Sequence, residues 1–499
     1  MRVSSAWRLA GREPWLVVLA LACVVVWSTY SILNYLHYGN YTDLAIFDQG
    51  IWHYSRFEAP ISTILSRVGY PNFLGDHFHP ILLVLTPLYW LWADPRMLFI
   101  AQAVLIAASI FPVFSYCARR LGRRCAYMLA GAYASFWGIH SAIAFDFHEV
   151  AFAPLLIALM IDAADLGRWR RFFGALAALL LVKESLGIFA AFFGLYLLVT
   201  RRWRQGAITL AIGVVWFLLT TKLFIPLLAD GRPYRHWNYR QFGDDLPEAL
   251  ANIASYPGLF FDVLLGSPEK LRALWYFFVP FLCLTVASPL VILTVPLLLE
   301  KMLSTNPFMW GTELHYSLTI APVIVMGAAA GLHNLLRLPG VERLRAVGLR
   351  PPTLAAAATA VILFANAWIA TGFPLWSLTD PDFYRRSPAD RVVQRALAKV
   401  PPQASVAAQI DVLPHLTRRK EAYWLRPGVP ATEYIVAEPG DYFTLAYPRA
   451  RFVDRQRLVL EKSDRYTPIF SEGGWVVLRR KPREQLLAEA RARGLSSEG

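Results

Sequence analysis

Charge is scarce in this chain. Only 17% of its 499 residues are Asp, Glu, Lys or Arg, while 56% are hydrophobic, and a soluble domain of that length needs more charge to cover its surface. Cysteine is scarcer still: Cys23, Cys117, Cys125 and Cys283 lie within or at the ends of apolar stretches. Their spacing matches no metal site and forms no disulfide framework, so they read as small apolar packing residues. No internal repeat or low-complexity tract is evident, which argues against a transporter built from structural repeats. The first apolar segment, Trp15 to about Leu36, lacks an A-x-A cleavage site and is too long for a signal-peptide core. It reads as a retained span, preceded by Arg2, Arg8 and Arg12.

What the chain has in abundance is apolar length. Stretches able to span a bilayer recur from Pro14 to Gly372, which defines a polytopic α-helical membrane protein. The formal net charge of +14 would suit a nucleic-acid binder, but the arginines sit in short clusters between apolar stretches, where they orient membrane helices. The expected partner is therefore the lipid bilayer and not nucleic acid. Arg119, Arg120, Arg123 and Arg124 form one cluster; Arg168, Arg170 and Arg171 a second; Arg201, Arg202 and Arg204 a third; Arg337, Arg343, Arg345 and Arg350 the last. Placing these and the N-terminus in the cytoplasm gives a multi-pass protein of the cytoplasmic (inner) membrane with about eleven spans.

That constraint decides several segments. His79 to Trp92 is short of a span and reads as a juxtamembrane helix at the outer surface. Spans then run inward over Pro95 to Cys117, outward over Cys125 to Ser141 and inward over Val150 to Asp165. Phe172 to Val199 begins and ends at cytoplasmic arginines, so it is expected to go out and return, turning at Lys183-Glu184-Ser185. The expected transmembrane module covers 1–373, with outer loops over 37–94 and 228–272. After Pro374 charge rises and strand-like runs appear at Ser405 to Ile410, Tyr434 to Ala437 and Trp475 to Leu478, preceded by a helix-like segment from Ala389 to Val400. This predicts a small α/β domain over 374–499 on the extracytoplasmic side.

The polar residues worth chemistry gather at the expected outer boundary. Taken singly, Asp43 reads as a helix N-cap and Asp48 as a solvated residue on the same helix. The loop repeats the pattern at Asp76, His77 and His79, and carboxylate with imidazole can activate a hydroxyl or hold a divalent cation. Asp146, His148 and Glu149 follow at the outer end of the third span, either as a solvated loop or as functional groups, since uncompensated burial there would cost several kcal/mol. Lys183 and Glu184 either neutralise one another or, as neighbours that share a helix face poorly, leave Lys183 to face an anion. Lys222 lies near the outer end of its span and either faces a phosphate or snorkels to the interface. Arg232, Arg235, His236 and Arg240 alternate with Tyr234, Trp237 and Tyr239, as an anionic head-group site or an interfacial belt would.

The segments YTDLAIFDQGIW, GDHFHPILL, FDFHEVAFAP, LLVKES and the late LPHL at Leu413 to Leu416 resemble the GT-C class of membrane glycosyltransferases. More closely, they resemble a family of predicted polytopic membrane proteins of unknown function related to that class. The resemblance implies transfer of a sugar from a polyprenyl-phosphate-linked donor to a glycan, lipid or protein acceptor on the outer face, by an inverting mechanism. It implies catalytic roles for Asp43, then Asp48, with Asp146 as a second acid. Donor-phosphate binding falls to Lys183, Lys222, Arg232, Arg235 and His236. A divalent metal cation is an expected cofactor, with His77, His79, His148 and Glu149 as its ligands. Two other functions fit the same composition: a transporter or flippase for a lipid-linked or anionic solute, and a non-catalytic envelope protein that binds glycan or lipid.

Overall fold

The structure is a computed structural model that describes residues 13–66, 69–339, 350–426, 428–438 and 465–492. Arg2, Arg8, Arg12, Arg343 and Arg345 lie outside the described residues. The chain divides into two compact units. One holds Leu74–Leu85, Arg96–Asp380 and the chain up to Ile32; the other holds Leu33–Phe73, Thr86–Pro95 and the chain from Pro381.

The first unit is helical. Its longer helices are α1 (Pro14–Leu36, of which the part up to Ile32 belongs here), α2 (Arg96–Ala108), α3 (Ile110–Leu121), α4 (Arg123–Ala134), α5 (Trp137–Ala144), α6 (Ala153–Asp165), α7 (Trp169–Leu180), α8 (Leu186–Val199), α9 (Trp203–Leu219), α10 (Leu246–Ser255), α11 (Pro257–Leu265), α12 (Pro268–Phe278), α13 (Val291–Met302), α14 (Ala321–Leu335) and α15 (Pro351–Ala370). Among the described residues, five helical stretches are long and apolar enough to cross a membrane: Pro14–Leu36, Arg96–Leu121, Trp203–Leu228, His315–Leu335 and Pro351–Ala370. The remaining apolar segments are broken into shorter helices. The break between α4 and α5 falls at Ser135 and Phe136, and Lys183, Glu184 and Ser185 lie in the turn between α7 and α8. Glycine sets the closeness of α8 and α9. A Cβ on Gly194 would sit 2.4 Å from the Leu210 nitrogen, and one on Gly213 equally close to that of Ala191. Small residues let helix backbones approach in a bilayer in this way.

The arginines mark one end of this unit. Arg119 pairs with Asp162 and Asp165, each at 2.8 Å, and Arg120 also pairs with Asp165. His333, near the end of α14, meets the Arg120 carbonyl at 2.8 Å. From that end α6 and α14 lead back to Glu149 and His315, so the histidine-bearing loops occupy the opposite end. The 21 residues of His315–Leu335 cover about 30 Å at the helical rise, close to the thickness of a bilayer core.

The second unit contains a five-stranded sheet of order β2-β1-β3-β5-β4: β1 (Val406–Ala408), β2 (Ala422–Trp424), β3 (Tyr434–Ala437), β4 (Tyr466–Glu472) and β5 (Trp475–Arg480). β1 is parallel to both β2 and β3, with Val406 opposite Ala422 and Tyr434. β5 is antiparallel to β3 and β4. Gly473 and Gly474, both at positive φ, make the tight β4–β5 turn that a right-twisted hairpin favours. The helix Pro388–Leu397 starts with a Ser387/Asp390 capping box and packs Val393 and Ala396 onto the sheet, in a core that also takes in Ala45 and Ile64 of the early chain. Thr63 completes the attachment at an edge strand: its Oγ1 donates to the Ala422 carbonyl and accepts from the Ala422 N–H at 3.0 Å.

Asp411, just past β1, has its carboxyl pushed up to about 6 by burial. A raised carboxyl means the folded state holds its proton more tightly, so stability is full below the unfolded value and declines as pH rises through about 4 to 6. Asp411→Asn is therefore expected to stabilise this unit by about 3 kcal/mol at pH 7 and to leave it unchanged near pH 4. Thermal melts of both proteins at the two pH values check this.

Candidate functional site

Three segments of the helical unit meet on one carboxylate. Glu184 is fully buried in the turn between α7 and α8. Its Oε1 lies 2.7 Å from His77 Nδ1 and accepts from the Tyr234 hydroxyl at 3.0 Å, while Oε2 accepts from the Phe78 N–H at 3.0 Å. The turn is itself held from both sides: the Ile81 N–H donates to the Leu181 carbonyl at 3.1 Å, and the Trp216 indole donates to the Leu180 carbonyl at 2.9 Å. Beside it, Asp76 Oδ1 receives Arg235 Nε at 2.6 Å and meets His236 Nε2 at 2.9 Å. The His77 and His236 rings stack with centroids 3.8 Å apart.

A second group adjoins the same turn. Lys183 Nζ lies 3.0 Å from Glu149 Oε1, with Glu149 almost wholly buried. Lys183 and Glu184 thus point at different partners, as adjacent residues without a shared face must. His148 stacks on His315 with centroids 3.5 Å apart, and its N–H donates to Gln102 Oε1 at 3.2 Å. Asp146 is fully buried at the end of α5, and His79 is buried beside the two glutamates.

The electrostatics follow from this pairing. Burial alone would raise the Glu149 carboxyl; the Lys183 ammonium and the imidazoles of His148 and His79 overcome that and hold it down at about 2. Burial acts the same way on Glu184 and is overcome first by His77 and then by Lys183, which leaves the carboxyl well below the usual range. Asp76 is likewise held low against burial by its bond from His236 and the neighbouring His77. Burial pushes the His79 imidazole down to about 4 against the pull of Glu149 and Glu184. Burial and His77 do the same to His236. At neutral pH both rings are therefore neutral and keep a lone pair for a ligand or a proton.

Among the described residues, one set of side chains is close enough to hold a metal ion: the ligand atoms of Asp76, His77 and His236 lie within 4.8 Å of one another. Of the four ligands expected from the sequence, only His77 belongs to it. Glu149 is committed to Lys183, His148 to the His315 stack, and His79 is buried apart from the set. The other phosphate-binding candidates, Lys222 and Arg232, are exposed.

In the second unit, the helix Thr42–Ser55 begins at a Tyr41 N-cap that makes no side-chain cap bond. Asp43 is accordingly not the cap. It stands in the first turn, where its charge favours the positive end of the helix dipole. Asp48 is not solvated either. It is fully buried, with Oδ1 accepting from the Tyr89 hydroxyl at 2.5 Å and Oδ2 from Thr417. Burial raises its carboxyl against the nearby Arg418 charge.

Glu184 as a hub, Tyr234 beneath it and the coupling of Asp76 to His236 were not apparent from sequence. Each joins residues at least 50 positions apart, so no local periodicity carries them. The only available signal was the shared placement of these loops at one membrane boundary.

The architecture is that of a helical membrane protein with several apolar helices of spanning length and a small sheet late in the chain. The structure superimposes on that of ArnT from Cupriavidus metallidurans bound to undecaprenyl phosphate with a TM-score of 0.52 and 14% identity, covering 94% of this chain and 99% of ArnT. Against the same protein in the apo state the TM-score is 0.51 at 15% identity, over 95% and 100% of the two chains. A family model matches residues 33–467, and the chain belongs to that family, the predicted membrane proteins of DUF2079. No functionally curated protein matches the sequence.

Proposed function

We propose that this protein is an inverting membrane glycosyltransferase, moving a sugar from a polyprenyl-phosphate-linked donor to an acceptor on the outer face of the cytoplasmic membrane. The observation that carries the reading is the convergence of Asp76, His77, Lys183, Glu184, Arg235 and His236 from three distant segments at the end of the helical unit opposite the paired arginines. Fold likeness to a protein that binds undecaprenyl phosphate supports it. In this reading the protein crosses the membrane about eleven times, with the N-terminus in the cytoplasm and the sheet-bearing domain outside, where it helps to select the acceptor.

Asp43 takes the proton of the acceptor hydroxyl as general base, and Asp146 serves as the second acidic group. Arg235 and Lys183, with Lys222 and Arg232, offset the charge that develops on the donor phosphate as the glycosidic bond breaks. Each of the first two has a carboxylate partner in place, so an incoming phosphate competes for a cation already positioned.

Asp76, His77 and His236 suit a divalent cation: two imidazoles and one carboxylate are a common donor set for borderline metals. Glu184 on Nδ1 of His77 leaves Nε2 of that ring for a ligand. When bound, such a cation supplies charge neutralisation to the phosphate.

Binding of the lipid phosphate tests the reading before any acceptor is known. Purified protein in nanodiscs is expected to bind polyprenyl phosphate, with affinity at least tenfold weaker in Arg235→Ala, a loss of more than about 1.4 kcal/mol. Equal affinity in the two proteins, or no binding by the wild type, contradicts it.

A further inference from the structure

Between the loop that carries His236 and α13, the helices α10, α11 and α12 turn apolar residues outward. Leu246 and Leu250 are exposed on α10, Phe261 and Leu265 on α11, and Leu271 and Trp275 on α12, with Val279 just past its end. Each set is spaced by four, so each forms a stripe on one helix face. α11 is the extreme case: six of its nine residues, PGLFFDVLL, are apolar and none is buried. At about 14 Å it is also far too short to span a bilayer.

This arrangement is built and held. Asp245 caps α10 by accepting from the Glu248 N–H at 2.9 Å, and Asn252 Nδ2 donates to the Phe242 carbonyl at 2.7 Å. Lys270 Nζ donates to the carbonyls of Val263 and Met302, both at 2.6 Å, which ties the end of α11 to the end of α13. The outward stripes are thus a fixed feature of the fold.

The depth of the stripes comes from α12. Its Tyr276 ring meets Phe373, three residues past the spanning helix α15, with centroids 5.8 Å apart. α15 runs alongside α4 in the same sense, Thr359 Oγ1 meeting Met128 Sδ and Gly131 facing Leu363. Phe373 therefore lies at the end opposite the arginines, beside the loops of the candidate site. The exposed stripe of α12 continues the surface of that span, and α11 and α10 extend it sideways.

We infer that α10 and α11 form a membrane-lying foot, with Leu250, Phe261 and Leu265 inserted among the lipids at the site end of the bilayer and the acidic start of α10, Asp244, Asp245 and Glu248, kept in water. An amphipathic element of this kind buries its apolar face several Å into the head-group boundary. The foot is continuous with the 232–236 loop, so it sets Tyr234, Arg235 and His236 at head-group height. The inference does not rest on the transferase reading, because its test needs no turnover.

Spin labels measure the depth directly. Cys283 is exposed and the other three cysteines are buried, so Leu250→Cys, Phe261→Cys, Leu265→Cys and Glu248→Cys are each made with Cys283→Ser and labelled with a nitroxide. The full-length proteins are placed in nanodiscs of phosphatidylethanolamine and phosphatidylglycerol. Collision with oxygen is expected to exceed collision with a water-soluble nickel chelate several-fold at positions 250, 261 and 265, with the order reversed at 248. Nickel access at 261 as high as at 248 overturns the inference. So does dipolar broadening at 261 that grows with protein-to-lipid ratio, because a second copy would then cover the face.

Discussion

Replacing Asp43 with Asn is expected to abolish sugar transfer while leaving a folded protein in the membrane. The substitution keeps the size of the side chain and removes its charge and its capacity to accept a proton. Its position limits structural damage: Asp43 is partly exposed in the first turn of Thr42–Ser55, whereas Leu44 and Ala45 beside it are fully buried and anchor the helix. Loss of a favourable charge–dipole contact costs about 0.3–1 kcal/mol, and the Asn amide oxygen can still accept a hydrogen bond. Loss of a general base lowers the rate by about 10²–10⁴. Turnover measured beside the melting temperature separates the two effects, and transfer retained by Asp43→Asn would remove it as the base. Asp48→Asn is expected to behave differently, since Asp48 is locked between Tyr89 and Thr417: it should lower stability more than rate.

The second large effect falls on Glu184. Its carboxylate accepts from Phe78, Tyr234 and, in the tautomer its geometry selects, His77. Glu184→Ala leaves these part-buried donors without their acceptor, at about 1–3 kcal/mol for each group left unsatisfied. Glu184→Gln is the more informative variant. Its amide fills the same space, but it lacks the charge and one acceptor oxygen, so the Phe78 N–H and the His77 ring cannot both be served as before. If Asp76, His77 and His236 hold a divalent cation, losing the group that orients a ligating histidine should weaken binding about 10–100-fold. Thermal melts of Ala and Gln variants, with calorimetric titration of Zn²⁺ into the Gln variant, check both parts. A Gln variant with unchanged melting temperature and unchanged Zn²⁺ affinity would show that Glu184 does not organise the cluster.

The turn that presents Glu184 was readable in the sequence because arginines flank Phe172 to Val199 on both sides, and a segment that starts and ends at one face must reverse. Strands β1, β3 and β5 were readable as short apolar runs in a polar setting. β2 and β4 were not. β2 is three residues long, and the outer face of β4 is exposed, so neither carries an alternation that pattern alone can detect. The attachment of Ala45, Ile64 and Thr63 to a sheet some 350 residues later is a tertiary fact with no local trace. The site shows the same division. Residue types and boundary placement marked Asp76, His77, Lys183, Arg235 and His236 as a pool of candidates. Who pairs with whom depended on long-range geometry: His77, expected as a metal ligand with His79, His148 and Glu149, lies against His236 and Glu184.

Release of polyprenyl phosphate is the decisive readout. Purified protein in nanodiscs would be given a polyprenyl-phosphate sugar with a mixture of envelope glycans and lipids as acceptors, and free polyprenyl phosphate would be followed by mass spectrometry. The account predicts time-dependent release that requires both protein and acceptor and disappears in Asp43→Asn. Donor that binds saturably yet stays intact, with every acceptor fraction supplied, would contradict it and leave a protein that holds lipid-linked sugar without transferring it.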